Sequence, residues 1–234
     1  MSTRESVTAG PAARSEGRFG GNFRSWPVLV VALAVGAVIF TNLYDLGADD
    51  LRIPLLNANV ASSWSHLADA AALLAGAVVA LLGARRSSAK RGPWISVAVT
   101  LVLFFADEVS SLHSHIDRLT RFGGISYGKL LYVPLLVLLV ISVFRLTAGT
   151  DQVRLLLVGL MTLVVSYAVH VFVLSLAIGW GYDSWAYQAM VGVKEGTALG
   201  GLALLLTALW RLQASLPSPY PEGLKVSPPV RGLT

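Results

Sequence analysis

The sequence predicts an all-α fold, a polytopic membrane helix bundle with six transmembrane helices. Three observations carry that expectation. The 234 residues are 55% hydrophobic and only 13% charged, with a mean hydropathy of +0.67, outside the range of soluble globular domains. Apolar runs long enough to cross a hydrocarbon core of about 30 Å recur along the chain. Most charges collect between those runs rather than inside them.

Residues 1–25 are rich in Gly, Ser, Ala and Arg and lack apolar periodicity, the composition of a disordered tail. The first run, Trp26 to Leu43, is too long for a signal-peptide core and ends in Thr41-Asn42-Leu43-Tyr44-Asp45 without a small-residue cleavage site, so it reads as an uncleaved span. An acidic loop through Asp45, Asp49 and Asp50, closed by Pro54, leads to a second span over Val60–Leu82. The basic turn Arg85–Arg91 precedes a third span that opens at Pro93-Trp94, where proline suits a helix start and tryptophan an interface. Gly123-Gly124 ends that helix. A fourth span follows over Ser126–Phe144, with a kink expected at Pro134. The fifth, Leu155–Ile178, carries His170, and Gly179–Trp185 makes an aromatic interfacial loop. The sixth, Tyr187–Trp210, carries Lys194 and Glu195; residues 212–234 form a Pro-rich, flexible tail. The membrane domain is thus 26–211, and no soluble second domain is expected.

Charge orients these spans. With loops assigned alternately, the side that holds both tails and the 84–92 and 145–154 turns carries 13 of the 18 Lys/Arg and 4 of the 13 Asp/Glu. The positive-inside rule then places both termini in the cytoplasm of a cell-membrane protein. Basic residues stand singly, not in stripes with interleaved aromatics, which argues against nucleic acid as a partner. The chain has no cysteine, excluding disulfides, thiolate metal sites and cysteine nucleophiles.

One stretch departs from the apolar pattern. Phe104 to Asp117 begins as a lipid-facing run and then acquires Asp107-Glu108, Ser110-Ser111 and two histidines, His113 and His115. At a rise of ~1.5 Å per residue, Asp107, Asp69 and Glu195 all fall roughly 20 Å from the cytoplasmic ends of their spans, and His66, His170, Asn42 and Lys129 fall at about 24 Å. Ionisable groups at such depth usually face a protein interior or a watery cavity, so a shared polar cavity opening outward is the economical reading. Helical spacing puts Ser62, His66 and Asp69 on one stripe of the second span and Asp107 and Ser111 on one stripe of the third. Glu108 faces another sector, and Lys194 is a candidate charge partner for Asp107 or Glu108. Gly192, Gly196 and Gly200, spaced by four, form a small-residue seam bordering Glu195. Asp45 reads as a wet loop residue, and Trp26, Trp94, Trp180, Trp185 and Trp210 as interfacial anchors.

These residue types suit a metal-dependent hydrolase acting on a lipid-like substrate: zinc on His66, His170 and Asp107 or Glu195, with His113 and His115 as further ligands, Glu108 as general base, and Asp69, Ser62 or Ser111 moving a proton or orienting water. The same acids and histidines would also serve a proton- or ion-coupled transporter or channel. A non-catalytic assembly subunit held by buried ion pairs is the third possibility, and a lone buried histidine is more often a helix–helix contact than a ligand.

Two resemblances add to this reading. Phe104-Phe-Ala-Asp-Glu-Val-Ser-Ser-Leu-His113 and Lys194-Glu-Gly-Thr-Ala-Leu-Gly-Gly201 resemble patterns in a loose group of bacterial multi-pass membrane proteins of no established activity, although Ser114 and Lys194 stand where that group often has an acid. Ser62-x-x-x-His66 and Asp107 resemble two of the three motifs of ceramidase-like membrane hydrolases, which implies zinc hydrolysis of a lipid. The third motif, a His-x-x-x-His pair in the last span, is absent.

Overall fold

The computed structural model describes residues 26–49, 52–60, 62–112, 116, 121–122, 125–126 and 132–217. Its helices are α1 (Trp26–Asp49), α2 (Trp64–Arg86), α3 (Arg91–Ser110), α4 (Tyr132–Thr147), α5 (Gln152–Trp180) and α6 (Trp185–Ala214). Between α3 and α4 lies a two-residue antiparallel ladder of β1 (Arg121–Phe122) and β2 (Ile125–Ser126), with Arg121 opposite Ser126. Residues 1–25 and 218–234, His113, His115 and Lys129 lie outside the described residues; the expected flexible tail does not start at 212, because α6 runs on to Ala214 with Leu212 and Gln213 buried.

Five helices are long and apolar enough to cross a membrane; the apolar run of α4, Val133–Thr147, is shorter. The fourth span therefore begins later than the sequence suggested, because Ser126 belongs to β2 and not to a helix. Pro134 falls in the first turn of α4. There its missing N–H is one the helix would leave unpaired anyway, so it starts the helix instead of kinking it. The second span also starts later. Ser63 takes the N-cap of α2, its hydroxyl accepting from the His66 N–H, which leaves Ser62 one residue outside the helix.

α6 is the central element, packing on α1, α2 and α5; α3 packs on α2, and α4 on α3. In lipid there is no hydrophobic drive to bring helices together, so close contact and hydrogen bonds must do it. The glycine seam does this for α1. A Cβ at Gly192 would meet Ile39 Cα at 2.7 Å, and one at Gly196 would run into the Val35 backbone. The two helices thus touch backbone to backbone, while Val28, Leu29, Leu33 and Phe40 face outward from α1. On α2 and α3, Trp94 is not an interfacial anchor. It is 1% exposed and lies flat against Gly83, in the space a side chain there would fill. Trp180, Trp185 and Trp210 are exposed, as interfacial residues are, and Trp26 lies under the Arg211 guanidinium at 5.2 Å.

Gly196→Ala should lower stability by about 1–3 kcal/mol through overpacking. Gly36→Ala, where nothing lies within 4 Å of the added carbon, should leave it nearly unchanged. Thermal unfolding of the two variants in one detergent measures the difference.

Candidate functional site: an acid–base cluster at the end of an amphipathic cavity

The start of α2, the end of α3 and the N-terminal half of α6 meet at one end of the bundle. His66, in the first turn of α2, pairs through Nδ1 with Glu108 Oε1 in the last turn of α3. Its other nitrogen, Nε2, faces Glu195 Oε1 of α6 at 3.9 Å. That is too long for a direct hydrogen bond; a water would reach both only from beside the line that joins them. Glu195 is also paired with Lys194 Nζ. Ser166 of α5 donates to the Lys194 carbonyl at 2.8 Å, so this turn of α6 is tied to a third neighbour. With Glu108 ionised, it accepts from Nδ1–H, and a neutral imidazole in that tautomer presents a lone pair at Nε2.

Asp69, one turn beyond His66, is 5% exposed, and its Oδ1 makes no hydrogen bond. Such an atom is rare in folded proteins and calls for an explanation. It lines a cavity of about 500 Å³ together with His66, Asp107, Glu108, Lys194 and Glu195. The rest of that cavity is apolar, built by Leu73, Leu101, Phe104, Leu139, Leu160 and their neighbours. Three of its lining residues, Leu136 on α4 and Val164 and Tyr167 on α5, are also exposed, at 43%, 55% and 61%. α4 hardly touches α5. The mouth therefore lies between these two helices, ringed by exposed apolar side chains.

The structure thus brings together His66, Asp69, Asp107, Glu108 and Glu195, and leaves other candidates apart. Ser62 is exposed ahead of α2. Ser111 is not on a stripe with Asp107, because α3 ends at Ser110 and Ser111 takes a left-handed φ of 50° as its C-cap. His170 sits on α5 three residues beyond Tyr167 and is not among the residues lining the cavity. Lys194 pairs with its neighbour Glu195 and not with the acids of α3. Among the described residues, no three His, Asp or Glu side chains are grouped to hold a metal ion.

A second polar network lies nearby, and sequence reasoning missed most of it. α1 runs on past Leu43, so Asp45 is no wet loop residue: it is 0% exposed and its Oδ1 accepts from the Ile53 N–H at 2.9 Å. Asn42 belongs here and not to the acid layer. Its Nδ2 donates to Gln188 Oε1 at 2.7 Å, and its Oδ1 accepts from the Ala58 N–H at 2.9 Å. Asn59 Nδ2 donates to the same Gln188 oxygen at 3.0 Å, and Tyr187 Oη donates to Asn59 Oδ1 at 3.2 Å. The network pins the 52–60 loop onto α1 and α6. An Asn in an apolar run and a Gln three residues after an interfacial Trp were the available signals.

Fold and site together define an integral membrane protein with several helices long and apolar enough to span a bilayer, and with an acid–base cluster at the polar end of an otherwise apolar cavity. The chain belongs to the family described as Domain of unknown function (DUF8692), whose model matches residues 25–212. No curated protein and no solved structure matches it.

Gln188→Ala should leave the Asn59 amide and one Asn42 N–H bond without an acceptor, at about 1–3 kcal/mol per buried group. The expected result is a lower melting temperature together with faster proteolysis within residues 52–60.

Proposed function

We propose that the protein is a membrane hydrolase that draws a lipid-like amphiphile from the bilayer and cleaves an ester or amide near its head. The observation that carries this is the place of His66: Glu108 holds one nitrogen, the other faces a gap before Glu195, and both lie at the polar end of a cavity otherwise suited to an acyl chain. A water in that gap would give its proton to His66 Nε2 as its oxygen attacks the carbonyl carbon. Glu108 would stabilise the imidazolium. The proton would then pass to the leaving oxygen or nitrogen as its bond to carbon breaks, releasing an acid and an alcohol or amine.

This route needs no ion. A zinc ion in the gap is a variant of the same chemistry, with His66 and Glu195 as two ligands and Glu108 orienting the imidazole from behind. Stoichiometric zinc in the purified protein, lost in a folded His66→Ala variant, would select the zinc form; protein free of transition metals that still turns over substrate would select the water form.

His66→Ala and Glu108→Gln should each lower kcat by about 10²–10⁴-fold; Glu108→Gln, which keeps a hydrogen bond to Nδ1, should hold the melting temperature within a few degrees, and His66→Ala, which leaves Glu108 without this partner, should lower it further. Assays over a panel of lipid esters and amides in vesicles measure this. If no member of the panel is turned over, the hydrolase reading falls.

A specific observation favours a second reading, proton-coupled transport of the amphiphile. Asp69 Oδ1 is buried without a partner beside His66 and Glu195, as a proton-carrying carboxylate would be. Proteoliposomes would then show flux that depends on a pH gradient and is lost in Asp69→Asn, without any cleavage product.

The orientation proposed is that of the charge pattern, with the basic turns and both termini in the cytoplasm and the cluster towards the outside. Because the chain has no cysteine, single substitutions report cleanly. Ser88→Cys should react with an impermeant maleimide only after the cells are opened, and Asp183→Cys should react in intact cells. The reverse pattern would invert the topology.

A further inference from the structure

The hydrolase and transport readings share an amphiphile and leave its head undefined. Resting on that shared reading, we infer that the occupant is a single-chain amphiphile with a cationic amine head, seated against Asp69 and drawn in between α4 and α5.

The charge of the polar end supports this. Among the described residues, four carboxylates, Asp69, Asp107, Glu108 and Glu195, line the cavity with one ammonium, Lys194, and one imidazole, His66. Glu195 and Glu108 already hold Lys194 and His66. Among the described residues Asp69 is in no ion pair, and its Oδ1 is without a hydrogen bond in a side chain 5% exposed. A buried carboxylate needs a donor, and an ammonium supplies both hydrogen bonds and charge where the low dielectric makes the attraction strong. An anionic head would instead add a charge to a site that is already acid-rich.

The apolar part of the cavity defines the other half of the ligand. About 500 Å³ is within the range of sites for ligands of drug size, and most of its wall is Leu, Val and Phe. A bare cation would satisfy Asp69 and leave that volume without an occupant; a hydrocarbon chain alone would fill the volume and leave Asp69 unpaired. An amine joined to one chain does both. The mouth fixes the route: Leu136, Val164 and Tyr167 face both the cavity and the bilayer, so the chain slides in sideways without leaving hydrocarbon.

The test compares an alkylamine, an alkanol and a fatty acid of one chain length, each titrated into the full chain in nanodiscs of zwitterionic lipid, with partition into empty discs subtracted. The amine is expected to bind about ten-fold or more tighter than the alkanol, and the fatty acid weakest. Asp69→Asn should remove the preference for amine while leaving alkanol affinity unchanged. Gly36→Ala, whose site touches nothing nearby, serves as the folded control. Equal binding of amine and alkanol, or a preference for the fatty acid, would overturn the amine head and leave the amphiphile reading standing. Saturable binding of none of the three would remove the amphiphile reading, and this inference with it. Should Asp69→Asn fail to fold, the order of the three ligands on the unmodified protein decides the matter.

Discussion

A carboxylate taken from water into a low-dielectric interior loses several kcal/mol of solvation after relaxation, and partners must restore it. One end of this bundle holds four carboxylates, and the pairing of two of them, Glu108 and Glu195, constrains the helices around them. Glu108 can meet His66 only if the end of α3 lies against the start of α2, and His66 can face Glu195 only if α6 passes behind both. Lys194 then neutralises Glu195 from the next position on the same helix. The two glycine contacts with α1 support that arrangement from the opposite side, because α6 can bring its polar turn inward only where its other face lies flush on a neighbour's backbone.

The membrane class, the helix order and the glycine seam were legible in the sequence because each is a one-dimensional pattern: run length, loop charge and a spacing of four. His66 with Asp69 was legible for the same reason, since three residues along a helix fix a shared face. Spacing sets Glu108 in a different sector from Asp107, and there it meets His66 of α2. What spacing cannot give is where a helix stops. Ser62 and Ser111 were placed on helical stripes, yet Ser63 caps α2 one residue later and Ser111 turns left-handed at the end of α3. A shift of one residue at a terminus moves a side chain out of the site, and several capping residues compete there.

The second network was illegible for a different reason. Asn42, Asn59 and Gln188 are far apart in the chain, and each alone looks like an ordinary helix-end or loop residue. Only the fold shows that one Gln188 oxygen accepts from two amides, and that a loop between two spans is closed down onto the bundle. Trp94 is a comparable case. A tryptophan near a helix start in a membrane protein is usually an anchor at the interface, but Gly83 across the hairpin makes a flat recess that the indole fills.

The bond from the Lys90 ammonium to the Leu146 carbonyl has a consequence for the walls of the cavity. It ties the C-terminal end of α4 to the turn between α2 and α3, and α4 packs on α3 while hardly touching α5. One side of the mouth therefore moves with the α2–α3 hairpin and the other with α5 and α6. A small shift of one group against the other changes the width of the mouth before it disturbs the packing inside either.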